Sequence, residues 1–313
     1  MVQALETASA PVATPLDPAL ADAALPEPSG GKLAALRGEI DTLDDALHDL
    51  LMRRATVVAR LAGSRAKDGP SPLRPGREAM ILRRLLARHA GPLPPDALIR
   101  LWREIFAISS ALQDSFGVAV FARGPEGAQL AREHFGTLTP LRSHPTPSRA
   151  LAAVAAGEAQ VAVLPLPEEG EPAEAAWWTS LDSPRLQVVA RLPFWSPGSL
   201  RPEGPEALAV ALGAPDPSGA DRTLLRLEMR SEAGAEFSRA RILEALATAG
   251  LVSPAAPRLL QLHRDQGRLR ALAEVDGLVA AEDPRLAALP VDRALPLGGY
   301  AVPLRGYEPG NPS

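Results

Sequence analysis

A chain of 313 residues with no cysteine and a formal net charge of −4 is long enough to bury sizeable cores in two or three domains. Disulfides, thiol catalysis and cysteine metal sites are excluded, and five scattered histidines give no metal-ligand spacing. With no cysteine, the expected setting is a reducing cytoplasm; no stretch reaches the ~18 uninterrupted apolar residues of a membrane span, so no membrane partner is expected.

Residues 1–31 are rich in alanine and proline and lack both a basic start and an unbroken apolar run. They read as a disordered tail and not as a signal peptide. From Lys32 to Lys67 the apolar residues then keep helical time: Leu36, Ile40, Leu43, Leu47, Leu50, Val57 and Leu61 step by three and four. Such a helix is about 54 Å long, which predicts packing along a partner helix or a second chain.

The stripe is interrupted by charge. The three-four step from Leu50 lands on Arg54, and from Leu61 on Arg65, so both guanidiniums fall on the apolar face. A buried cation needs an anionic partner. Two readings stand: the arginines snorkel or close structural salt bridges, or they hold an anionic ligand. Arg37, rotated by roughly a quarter turn from Arg54, faces a different neighbour.

A turn rich in proline precedes Arg77-Glu78, which open a second predicted helix over 77–90. After Gly91-Pro92, Asp96 is a plausible N-cap for a third helix over 97–115. Leu98, Leu101, Ile105 and Ile108 mark its expected buried side, extended by Ser109 and Gln113, while Glu78 shares the inner side of the second helix with Leu82 and Leu85. Polar groups aimed inward from all three helices point to a polar ligand. Residues 31–116 carry 14 Lys+Arg against 10 Asp+Glu, a surplus of +4 that leaves −8 on the rest. That balance favours a small anion. Nucleic acid is disfavoured, because the arginines lie on the inner seam and no basic stripe is interleaved with aromatics.

These residues carry a resemblance. Leu36-Arg37-x-x-Ile40-Asp41-x-Leu43-Asp44, Leu50-Leu51-x-x-Arg54, Arg77-Glu78 and Ser109-x-x-x-Gln113 together resemble the all-α chorismate mutase family over residues 32–114. The resemblance implies an intertwined homodimer of three-helix chains that converts chorismate to prephenate by a [3,3] rearrangement, with no cofactor, metal or covalent intermediate. Catalysis then rests on holding the dianion in its reactive chair and on stabilising charge at the breaking ether oxygen. By resemblance Arg37, from the partner chain, and Arg54 bind the carboxylates. Arg65 and Gln113 donate to the ether oxygen, Glu78 accepts from the substrate hydroxyl, and Arg77 and Ser109 line the pocket. The chain departs from the family's better-known members in having Arg65 where they have lysine, and Arg74 where an acidic residue often stands.

Beyond Phe116 short strands and helices alternate. Strands are expected over 116–122, 185–195 and 206–213, helices over 125–136 and 173–181, and a helix followed by a strand over 148–167. Gly124-Pro125-Glu126-Gly127 and Ala153-Val154-x-x-Gly157-x-x-x-Val161-x-Val163-x-Pro165 resemble the opening of prephenate dehydratase. Leu166-Pro167-Glu168-Glu169 stands in place of that family's Glu-Asn pair. Its Thr-Arg-Phe motif is absent, the nearest stretch being Pro205–Val210. Nothing evident protonates or orients a leaving hydroxyl, so this α/β lobe is expected to be degenerate.

From Asp221 the expected order is βαββαβ, which resembles a regulatory ACT module; Leu297-Gly298-Gly299-Tyr300 is similar to its ending in dehydratases. By that resemblance L-phenylalanine or another aromatic amino acid is a candidate effector, although the family's Glu-Ser-Arg-Pro stretch is not evident. The expected organisation is multidomain: a tail over 1–31, an all-α mutase domain over 32–115, a degenerate α/β dehydratase-like domain over 116–220 and an α+β ACT-like domain over 221–313. Two alternatives remain open, a bifunctional mutase–dehydratase and a non-catalytic amino-acid sensor whose helices only dimerise.

Overall fold

The computed structural model describes residues 30–63, 73–196, 204–230, 238–252, 260–265 and 267–306. The expected tail, apart from Gly30 and Gly31, lies outside the described residues, and so does Arg65. Two units divide the chain, up to Arg54 and from Ala55 onward, and each is described by itself.

The first unit holds most of helix α1, Gly30–Gly63, which at ~1.5 Å per residue is about 51 Å long. Leu36, Ile40, Leu43, Leu47 and Leu50 are each more than half exposed. In the second unit Val57 and Leu61 continue the stripe, again at least half exposed. The three-four pattern forms the helix, and a single chain leaves its apolar face open.

Helices α2, Pro75–Ala87, and α3, Pro95–Ala111, both place proline in the first turn, where the missing N–H costs nothing. Pro94, and not Asp96, takes the N-cap position of α3. Asp96 lies inside the first turn and its Oδ1 accepts from Trp195 Nε1 at 3.0 Å. The expected buried face of α3 needs correction. Leu98 is buried, but Leu101 and Ile108 are more than half exposed, while Ile99, Arg103, Phe106 and Ser110 go inside. This helix is apolar on two sides, and the α/β part of the chain takes the side the simple pattern did not choose. Periodicity alone cannot decide between two stripes.

The α/β part begins with three parallel strands, β1 (Val118–Val120), β2 (Leu141–Ser143) and β3 (Val161–Pro165). Their crossovers are α4 (Pro125–Phe135) and α5 (Pro147–Ala155). β2 is too short and too polar to have been legible. Strand β4 (Leu186–Leu192) and strand β6 (Ala207–Leu212) are antiparallel to each other, and β6 is antiparallel to β3. The helix expected over 173–181 shrinks to one 3-10 turn at Trp177–Thr179. Both indoles are buried there, Trp177 Nε1 donating to Pro165 O and Trp178 Nε1 to Glu171 Oε1, each at 3.2 Å. Burying two adjacent tryptophans suits a tight turn better than one face of an α-helix.

The rest runs β7 (Asp221–Arg230), α6 (Arg239–Thr248), β8 (Leu260–Asp265), β9 (Arg268–Asp276), α7 (Pro284–Ala287) and β10 (Arg293–Ala301). Strands on both sides of residue 220 join one nine-stranded sheet, in the order β2-β1-β3-β6-β4-β10-β7-β9-β8. A small pair, β5 (Trp195–Ser196) with β11 (Leu304–Arg305), lies apart from it. The joint between β4 and β10 is the parallel pair Val188–Gly298. Gly298 has φ +110°, and a Cβ there would lie 2.3 Å from Val188 O. Beside the joint, Glu274 is 2% exposed and accepts from Arg191 Nη1 at 3.4 Å and from Arg222 Nη1. Burial, then the nearby Glu274 carboxylate, raises the Tyr300 phenol above its ordinary value.

Gly298→Ala combines a disfavoured backbone conformation with a backbone clash, and is expected to cost about 2–4 kcal/mol. A thermal melt tests this; a variant as stable as the parent would show that the strands can part at that point without loss.

Candidate active site

Arg37 is exposed on α1 and Arg54 is partly buried; burial lowers the Arg54 guanidinium from its ordinary value. Arg65 lies outside the described residues. The remaining candidates sit on or just beyond α2 and α3, in the second unit.

Arg77 and Glu78 occupy the first turn of α2. Arg77 is exposed. Glu78 turns inward, and its Oε2 accepts from Arg103 Nη1 of α3 at 2.8 Å. The Arg103 side chain is 6% exposed in this pair. Burial pushes the Glu78 carboxyl above the usual carboxylate range, Arg103 pulls it part of the way back, and Asp216 adds a smaller upward push. His134 of α4 is buried close by, and burial, together with the Arg103 charge, holds its imidazole well below its ordinary value. The inward carboxylate expected from the sequence is therefore met by a cation of the protein itself, which the sequence reading missed. The signal was present: Arg103 falls between Ile99 and Phe106 on an apolar stripe, the same pattern that singled out Arg54.

Ser109 is buried, its hydroxyl donating to Ile105 O at 2.6 Å. Gln113 lies one turn on, just past the end of α3, and its Nε2 donates to Ser109 O at 2.9 Å. Its Oε1 is buried with no hydrogen-bond partner among the described residues, a situation that buried amides rarely tolerate. Nε2 keeps a second N–H for an acceptor. Thus Ser109 and Gln113 are brought together, as are Glu78 and Arg103.

The α/β part holds these helices. Arg83 of α2 donates to Ser218 O, Ala220 O and Val302 O at 2.9–3.0 Å. The guanidiniums of Arg83 and Arg103 both lie within 6 Å of the Phe194 ring centre, close enough for cation–π attraction. At the C-terminal ends of β1 and β3, where open α/β sheets place their ligands, Arg123 bonds Glu168 Oε1 at 2.6 Å and Glu171 Oε2 at 2.7 Å.

Within the second unit, α2 and α3 bring together a buried carboxylate–guanidinium pair and a buried amide, groups suited to a small polar molecule. Residues 36–114 match the family described as chorismate mutase type II. A bifunctional chorismate mutase/prephenate dehydratase of Pseudomonas aeruginosa is 34% identical over 148 residues, covering 45% of this chain and 40% of the relative. The chain thus spans less than half the length of that relative. Among solved structures, GqqA, described as a novel type of quorum quenching acylase, shares 21% identity with a TM-score of 0.43, over 59% of this chain and 94% of the other. A prephenate dehydratase from Arthrobacter aurescens, in complex with L-Phe, shares 16% identity with a TM-score of 0.42, over 59% and 89%. Likeness at that level leaves the chemistry of the α/β part to its own residues. No helix among the described residues is long and apolar enough to cross a membrane.

Proposed function

We propose that the chain is a chorismate mutase, converting chorismate to prephenate in aromatic amino acid biosynthesis. The observation that carries this is the family match over residues 36–114, which spans every residue assigned to the site. In the proposed site Arg54, Arg65 and Arg37 of the partner subunit supply the cations. Planar guanidinium forks bind carboxylates bidentately and hold the substrate in a reactive conformer. Gln113, through its second amide N–H, and Arg65 meet the charge that grows on the ether oxygen. Glu78 takes the substrate hydroxyl on Oε1, Oε2 being held by Arg103. Arg77 and Ser109 line the same pocket.

The working form is proposed to be a homodimer, because the exposed stripes of α1 and of Leu101 and Ile108 on α3, with Leu112 just past its end, are the apolar surface a second copy would bury. Loss of chorismate absorbance with purified protein tests the activity; absence of turnover overturns it.

Dehydratase activity is not part of the proposal. Glu206, just before β6 in the stretch nearest the missing Thr-Arg-Phe motif, is bound to Arg191 at 2.9 Å, and Arg123 fills the strand ends described above. Phenylpyruvate formed from prephenate would restore the bifunctional alternative. For residues 221–313 we propose an ACT-like module, supported by the element order β7-α6-β8-β9-α7-β10. An aromatic amino acid effector follows from the resemblance alone. L-Phe, L-Tyr or L-Trp should then raise the melting temperature, and no shift with any of the three ends the sensor role.

A further inference from the structure

Helix α2 begins with proline, and its N-cap residue, Arg74, makes no side-chain capping bond. A helix start must nonetheless satisfy its free amides. Here the acceptor comes from about 140 residues along the chain. Asp216, in the connection between β6 and β7, accepts from Gly76 N on Oδ1 at 2.9 Å and from Arg77 N on Oδ2 at 3.0 Å. Its Oδ2 also takes Arg74 Nε at 3.2 Å. The approach leaves no slack: a Cβ on Gly76 would lie 2.2 Å from Asp216 O. The carboxylate side chain is only 12% exposed, and a negative charge at a helix N-terminus is favourable. The amides it holds are those of Gly76 and Arg77. Glu78 follows in the same turn, its own amide bonded to Arg74 O at 3.0 Å, and Arg77 and Glu78 are both assigned to the mutase site.

We propose that Asp216 is a positioning residue of the mutase site, setting the first turn of α2 so that Arg77 and Glu78 meet the substrate. This rests on the mutase reading above. The α/β part then contributes to the mutase reaction without touching chorismate, and a family alignment of the helical stretch would not reveal it. Because Glu78 is assigned to the hydroxyl and not to the breaking bond, misplacing it removes binding common to ground and transition states. The effect falls on KM more than on kcat.

The test compares the full-length parent with Asp216→Ala, Asp216→Asn and Arg74→Ala. Asparagine keeps the volume and one acceptor, so that variant folds even if alanine does not. Both Asp216 variants should raise KM for chorismate by about tenfold with kcat nearly unchanged. Arg74→Ala, which leaves both amide bonds, should match the parent. The groups facing Glu78 are Arg103 from α3 and Asp216 from the β6–β7 connection, and the Arg103 charge also acts on His134 of α4. Removing the Asp216 charge eases ionisation of Glu78, so the acid limb of kcat/KM should move to lower pH in Asp216→Asn. A loss of fold alone would lower the active fraction, and hence kcat, without moving KM or the acid limb. Parental KM and acid limb in a folded Asp216→Asn would overturn the proposal.

Should the parent fail to consume chorismate, the mutase reading falls by itself. Hydrogen exchange then judges the anchoring: Gly76 and Arg77 amides should lose protection in Asp216→Ala, or one of the two in Asp216→Asn if that alone folds. Unchanged protection overturns it.

Discussion

Arg54→Ala is expected to lower kcat/KM for chorismate by about a thousandfold while the helical circular dichroism stays that of the parent. A charge-assisted fork to a substrate carboxylate, lost from a partly desolvated position, is worth about 3–5 kcal/mol, and each ~1.4 kcal/mol is a factor of ten in rate. The helix itself gains from the change, since alanine is the best helix former and a partly buried cation disappears from the seam. Lysine at the same position should recover only part of the loss, because a point charge cannot grip two oxygens in a plane. Near-parental turnover by the alanine variant would show that the anion is held elsewhere.

The largest stability effect is expected at Arg103, which never needs to touch a substrate. Arg103→Ala leaves Glu78 inside without its counter-charge, at a cost of about 3–5 kcal/mol. For a chain of this size that corresponds to a fall in melting temperature of about 10 °C. The deficit should shrink as the pH falls. With Arg103 gone, the Glu78 carboxyl in the folded chain sits still further above the ~4.3 of an unfolded glutamate. The folded form then holds the proton more tightly, so acidification through that window favours it. Replacing Arg103 and Glu78 together by leucine should cost less than Arg103→Ala alone, since no buried charge is left over. Melts of both variants at neutral and acid pH check this; an equal deficit at every pH would mean that the loss comes from packing and not from the orphaned carboxyl.

The sequence made some of this legible and hid the rest for physical reasons. Helix α1 was legible because one unbroken three-four pattern decides both its length and its apolar side. The face of α3 was not. Leu101 and Ile108 form one apolar stripe, Ile99 and Phe106 another, and only the strands far along the chain select between them. Glu78 was recognised as an inward charge, yet its partner Arg103 was passed over, although it breaks an apolar stripe just as Arg54 does. Asp216 could not have been found by any local rule, because its role exists only once residues 76 and 216 are neighbours. The same holds for the boundary at residue 220, which separates two compositional patterns but not two sheets. β10 enters beside β4 through one close glycine contact that no alternation of residue types announces.

The order in which this chain leaves the ribosome therefore runs against the order in which its contacts close. Helix α2 is synthesised early, but Arg83 waits for the carbonyls of Ser218, Ala220 and Val302, and β4 waits for Gly298. At ~5–20 residues per second, the early helices spend on the order of ten seconds without their final neighbours. During that interval the open leucines of α1 and α3 are the natural target for a holding chaperone, and a stop codon a few residues ahead of Gly298 would leave the nascent product without its clasp.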